Sequence, residues 1–242
     1  MSAGRLIGVG VGPGDPDLMT LKAIRTLREA DLVVHFGKNS SPSNARKIAA
    51  FHLPKGIEEL ALRYPITTEL PKHDENYRSA ITKFYDDASS ALAAKLDAGK
   101  IVAVLCEGDP LFYGSYMHLH TRLAGNYTTE VIAGVTGMSG CWSALRTPIA
   151  QGDDVLTVLP GTLPEAELAR RIGDADAAVI MKVGSNLAKI RRALKQSGRL
   201  ARAIYVERGT MTNEVMLPLC DKSDDQAPYF AMVLVPGWER AS

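Results

Sequence analysis

The hydrophobic positions of this 242-residue chain fall in short β-branched runs separated by stretches of helical periodicity. RLIGVGV is followed by TLKAIRTLREA, in which Leu21, Ile24, Leu27 and Ala30 share one helical face, and then by DLVVHF. Strand, helix and strand in that order is the pattern of parallel βαβ units. A long polar helix is predicted over 76–98, stopped by Gly99 and feeding the buried strand IVAVL. Next come a helix through YMHLHTRL, a strand TTEVIA and another helix at GVTGMSGCWSAL. The polar connector TPIAQGDD, with Pro148 and Gly152, interrupts the pattern and sets the expected domains at 1–148 and 149–242. The second half alternates VLTVLP, PEAELARRI, DAAVIMKV, NLAKIRRALKQS and ARAIYVE, then closes on NEVMLPL and YFAMVLVP with little helix between them. That closing pair implies antiparallel members. The expected fold is α/β in two domains, with a mainly parallel N-terminal sheet and a mixed C-terminal one.

Composition narrows the function classes. Hydrophobic residues at 46% and charged residues at 23% describe a chain that folds around a core. A formal net charge of +1 provides no broad field to attract nucleic acid or an anionic membrane, so an anionic ligand must be met by a local patch. No apolar run approaches the roughly twenty residues of a membrane span, and the N-terminal MSAGRLIGVG lacks a leader pattern, so a cytoplasmic protein is expected. Cys106, Cys141 and Cys220 are odd in number and form no CxxC pair, which points to buried free thiols and to neither disulfide nor metal.

Three glycine-rich loops follow predicted strands. In GVGVGPGDPDLMTLKA a dinucleotide fingerprint fails in both registers: counted from Gly8 the third glycine falls on Pro13, and from Gly10 on Asp15. No GK[ST] ending follows, so a phosphate loop fails too. What remains is a turn in which Gly12 and Gly14 let a ligand approach bare backbone while Pro13 fixes the local φ. The second loop, CEGDPLFYGS, places Glu107 and Asp109 on either side of Gly108 just past a strand, where ligands collect in open α/β sheets. Such acceptors suit an amine or positive centre better than a phosphate; the competing role for Asp109 is capping the next helix. The third loop, AGVTGMSG, offers Thr136.

Taken together, VGVGPGDPDLMTLKA, EGDPLFYGS and VIAGVTGM, in this order and spacing, resemble the tetrapyrrole methylase family of S-adenosylmethionine-dependent enzymes over essentially the whole chain. Many relatives read GGDP at the central loop. Glu107 in that position, with AGVTGMSGCWSAL after it, is most similar to the branch that methylates carbon 20 of precorrin-2 to give precorrin-3A in cobalamin biosynthesis. The resemblance implies a homodimer of two-domain subunits with S-adenosylmethionine in the cleft between the domains. Position by position it implies cofactor contacts from Pro13, Glu107, Gly108, Asp109, Phe112, Thr136 and Gly137, from Met181 in VIMKVG and from Gly209 in VERGT. Other readings left open are a relative acting on a cobalt-containing substrate or another ring carbon, and a non-catalytic nucleotide-binding module.

A reduced tetrapyrrole supplies its own enamine-like carbon nucleophile, so the chain's task is placement and exclusion of water. A proton leaves afterwards, and no acceptor for it is evident in the sequence. Basic side chains are expected around the substrate's carboxylates, and Lys38, Arg46, Lys47 and Arg63 after the second strand are the candidates, with His35 at that strand's end. His118 and His120, two apart, lie on different helical faces and do not make a metal pair.

Overall fold

Helices cover both faces of the first sheet, which explains why its strands read as near-continuous apolar runs. The structure is a computed structural model that describes residues 4–38, 43–66 and 74–237. Strands β1 (Arg5–Gly10), β2 (Leu32–Gly37), β3 (Glu58–Arg63), β4 (Ile101–Cys106) and β5 (Thr128–Ile132) are all parallel, in the order β3-β2-β4-β1-β5. Helices α1 (Leu21–Glu29) and α2 (Asn44–Ala49) cover one face, where Ala23, Leu27, Ala45 and Ile48 join Ile7, Val9, Val33, Ala103 and Leu105 in one buried cluster. On the other face α3 (Glu75–Asp97) and α4 (Tyr116–Leu123) bring Leu92, Leu96, Tyr116 and Leu119 against Leu6, Leu32, Val34, Val102 and Val104. Each leucine so buried contributes about 1.5–3 kcal/mol.

Local sequence sets the helix ends. The Thr20 hydroxyl accepts from Ala23 N at 3.1 Å to cap α1, and Asp74 accepts from Asn76 N at 2.8 Å to cap α3. Gly99, at φ 79°, turns the chain out of α3 into β4 as its position after the polar helix predicts. Gly8 is required by packing: a Cβ there would lie 2.6 Å from the ring of Tyr116, which is fully buried across the sheet face. Two elements lie outside the sequence reading, the edge strand β3 and the six-residue α2.

The second unit is a mixed sheet. Strands β6 (Leu156–Pro160), β7 (Ala177–Met181), β8 (Ile204–Glu207), β9 (Val215–Pro218) and β10 (Ala231–Val235) are ordered β6-β7-β10-β8-β9. The two closing strands are antiparallel members, as expected, but they do not pair with each other: β10 inserts between β7 and β8, and β9 lies outside β8. Helix α5 (Gly137–Ala144) lies on one face with Cys141 against Val179, Val206, Met232 and Leu234, and α6 (Glu165–Gly173) and α7 (Leu187–Gln196) cover the other. Because α5 is packed this way, the chain divides into Met1–Thr136 and Gly137–Ser242, earlier than the polar connector suggested. Cys106 and Cys141 are buried free thiols, whereas Cys220 is exposed in a short 3-10 turn, contrary to expectation. Among the described residues no helix is long and apolar enough to cross a membrane.

Candidate functional site

In the first unit the chain leaves β1 and the adjacent β4 on opposite faces of the sheet: α1 carries it from β1 towards β2, and α4 carries it from β4 past β1 to β5. This is the switch point at which open α/β sheets bind ligands, just beyond the carboxyl ends of the strands. The loops here are bound to each other through backbone. Val11 N donates to Cys106 O at 2.9 Å and Gly108 N to Gly12 O at 2.8 Å, so that Gly12 and Gly108 form an isolated antiparallel bridge. Pro13 follows directly on the bridged Gly12. The loop after β5 closes on the same point, because a Cβ on Gly10 would lie 2.6 Å from Gly134 Cα and 2.7 Å from Gly108 O. Only glycine allows three strand ends to approach so closely.

Asp109 locks the arrangement. One carboxylate oxygen accepts from Leu111 N at 2.9 Å, closing an Asx turn, and the other accepts from Gly134 N at 3.1 Å in the third loop. The carboxylate is engaged by the loops themselves, and it does not cap α4, whose N-cap position is Ser115. Five of the six cofactor contacts expected in this unit (Pro13, Glu107, Gly108, Asp109 and Thr136) therefore lie on loops that are directly bonded or in backbone contact, and Phe112 follows on the second of them, its N–H on Asp109 O at 3.3 Å. Phe112 packs edge-on against Tyr113 with ring centroids 4.9 Å apart.

Glu107 has a different environment. Burial raises its carboxyl above the usual carboxylate range, and the Ala45 N–H at the start of α2 offsets this in part. Its neighbour Cys106 is likewise pushed up by burial, which leaves an inert thiol.

The basic candidates separate into two groups. Arg46 is bound to Glu59 in a two-pronged ion pair, with both bonds at 2.9 Å. His35 is buried, its Nε2 3.6 Å from the same Glu59, and burial lowers its pKa so that it stays neutral. Lys38, Lys47 and Arg63 are exposed, and Arg63 donates to Lys38 O at 2.9 Å. Among the described residues no cluster could hold a metal ion. His118 stacks on Tyr85 at 4.2 Å while the His120 Nδ1 lies 3.3 Å from the Tyr116 hydroxyl, so the two face different neighbours.

In the second unit Met181 ends β7, half-buried in an apolar cluster with Met138, Trp142 and Met216. Gly209 follows β8, where a Cβ would lie 2.6 Å from Cys141 Sγ on α5, and Gly137 opens α5 itself with Met232 Cε 3.5 Å from the place its Cβ would take. Backbone strain marks the same places. Among the described residues five non-glycines have positive φ, and four of them, Tyr113, Lys182, Arg208 and Thr210, adjoin Phe112, Met181 and Gly209. Each left-handed non-glycine costs roughly 1–3 kcal/mol and persists where the surroundings enforce it, characteristically at functional loops. Sequence reasoning missed Gly10 and Gly134 as site residues although both stand in glycine-rich runs, and nothing in residue type marks the strained positions.

The two bonds of Asp109 generate a prediction. An asparagine offers one acceptor oxygen to two N–H donors, so Asp109→Asn should lose one bond and lower stability in urea denaturation by about 1–3 kcal/mol. An unchanged midpoint would show that the link from Asp109 to Gly134 carries no energy.

Comparison with known proteins agrees with this geometry. The model of the tetrapyrrole (corrin/porphyrin) methylases matches residues 5–219. A precorrin-2 C(20)-methyltransferase from a Sinorhizobium species is 59% identical over 239 residues, covering 99% of this chain and 98% of its own. The cobalt-precorrin-2 C(20)-methyltransferase of Salmonella typhimurium is 30% identical, covering 98% and 99%. Among solved structures, the uroporphyrin-III C-methyltransferase of Thermus thermophilus complexed with S-adenyl homocysteine has the same fold, with a TM-score of 0.67 at 22% identity, covering 96% of this chain and 92% of its own. The three glycine loops, the two α/β units and these full-length likenesses lead to one conclusion: this chain belongs to the tetrapyrrole methylase family.

Proposed function

We propose that the protein is an S-adenosylmethionine-dependent methyltransferase that converts precorrin-2 to precorrin-3A by methylating carbon 20, and that it works as a cytoplasmic homodimer in cobalamin biosynthesis. The observation that carries this reading is the likeness, over nearly its whole length, to the Sinorhizobium enzyme of that activity. Its higher identity, against the more distant cobalt-precorrin-2 enzyme, favours a metal-free substrate.

The residues present fit the methyl donor. S-adenosylmethionine supplies an electrophilic methyl group on a sulfonium, next to an ammonium group, and both positive centres are served by oxygen acceptors rather than by cations. The joined loops are packed backbone to backbone where no Cβ can enter, and they lack the registers that grip pyrophosphate. The proposed cofactor contacts are Pro13, Glu107, Gly108, Asp109, Phe112 and Thr136 in the first unit, and Gly137, Met181 and Gly209 in the second. Asp109 acts through the loops it ties together, and Met181 offers a polarizable apolar surface. For the substrate carboxylates Lys38, Lys47 and Arg63 are the proposed partners. Arg46 contributes through Glu59, which holds it in an ion pair, and His35 lies 3.6 Å from the same carboxylate.

With methyl-labelled S-adenosylmethionine and precorrin-2, carbon NMR should show a single new methyl group at carbon 20, formed faster than with the cobalt-containing substrate. A methyl at any other carbon contradicts the regiochemistry, and no transfer to either substrate contradicts the activity. Light scattering should give a dimer; a particle of 26.1 kDa would contradict the proposed assembly.

A further inference from the structure

Carbon 20 is a bridging carbon that carries hydrogen, so replacing that hydrogen by methyl requires a proton to leave the reacting carbon itself. Resting on the proposed activity, this requirement calls for an acceptor close to the cofactor loops. Glu107 has the geometry for it. It directly follows β4 at the switch point, and its other neighbour, Gly108, is bonded to Gly12 beside Pro13. Ala103 and Leu105 face α1 and α2, and Glu107 continues that alternation, with its carboxyl on the Ala45 N–H.

Of the charged and titratable groups on the adjoining elements, Lys38, which the β2–β4 register sets alongside the loop after β4, is exposed. Arg46 of α2 is held by Glu59, Lys47 of α2 is exposed, and His35 of β2 is kept neutral by burial. On its own loop Asp109 is bonded to Leu111 and Gly134, and Cys106 stays a thiol. No ion pair involves Glu107 among the described residues. Burial raises the Glu107 carboxyl above the usual carboxylate range, and a carboxylate raised in this way is a stronger base.

We propose that Glu107 is the catalytic base that removes the carbon 20 proton after methyl transfer. In the first step the ring π electrons at carbon 20 form the new bond to the methyl carbon, the sulfur–methyl bond breaks with its pair left on sulfur, and the macrocycle becomes cationic. In the second the carbon 20–hydrogen bond breaks, its electron pair restores the neutral conjugated ring, and the proton passes to the Glu107 carboxylate and then to water. No oxidant or reductant is consumed.

The test is Glu107→Gln, which keeps an acceptor oxygen for Ala45 N–H but cannot take a proton. Turnover of precorrin-2 should fall roughly 10²–10⁴-fold. Affinity for S-adenosylhomocysteine should fall far less than turnover does, because Glu107 is one of several proposed cofactor contacts whereas the proton transfer depends on it alone. Since burial raises the carboxyl above its ordinary value of 4.5, wild-type turnover should decline as pH falls through a value above 4.5. Carbon NMR of labelled glutamate in the free enzyme should show a carboxyl titrating in that range whose signal is missing from Glu107→Gln. If the glutamine variant fails to fold, Glu107→Asp, which keeps the base, should retain the acid limb at reduced turnover. Wild-type-like turnover in Glu107→Gln, or the lack of a high-titrating carboxyl, overturns the proposal while leaving the methyltransferase reading intact. A wild-type enzyme that methylates no substrate at carbon 20 overturns both.

Discussion

Backbone packed directly on backbone at the carboxyl ends of three strands is the constraint on which the site of the first unit depends. Gly10, Gly108 and Gly134 approach until no side-chain atom fits between them, and hydrogen bonds from Val11 and Gly108 fasten the first loop to the second. Asp109 then fastens the second to the third. The consequence is a junction made largely of peptide groups whose positions are set by the sheet. A cofactor held there, as proposed, would require little ordering of flexible side chains, so less conformational entropy would be lost on binding.

This constraint also separates the roles of the two acids in EGDP. Asp109 is a positioning residue, its carboxylate satisfied by two backbone N–H groups. Glu107, two positions earlier, has one such partner and is raised by burial. Identical functional groups in one turn thus differ in environment, one satisfied by loop closure and the other raised by burial with a single backbone donor. In the second unit the analogous economy is steric: Gly209 lets its turn lie against Cys141 of α5, and the strained residues on either side of it are held by the packing around them.

Much of this was legible in the sequence. The strand–helix alternation, the extents of α3 and α4 and the mixed character of the second sheet follow from hydrophobic periodicity and from Gly99, and the three glycine-rich loops are the ones that the first unit brings together at its strand ends. The missed elements have physical reasons. Strand β3 begins with Glu58 and Glu59 and lies at the sheet edge, where polar residues hide the alternating pattern, and α2 is too short for a period to register. The boundary after Thr136 could not be read locally, because α5 is assigned by what Cys141 packs against rather than by the connector that follows it. Arg46 looked available because its sequence neighbours are basic, whereas its partner Glu59 is thirteen residues away on another element.

The central claim is that glycine contact among the strand ends creates the cofactor surface. Calorimetric titration of Gly134→Ala with S-adenosylhomocysteine tests it most directly, with circular dichroism establishing that the variant is folded. A Cβ at this position is driven into Gly108 and within 2.8 Å of Gly10, forcing the second and third loops apart. The account predicts that affinity falls by at least about tenfold, equivalent to about 1.4 kcal/mol. Wild-type affinity in the folded variant would contradict it.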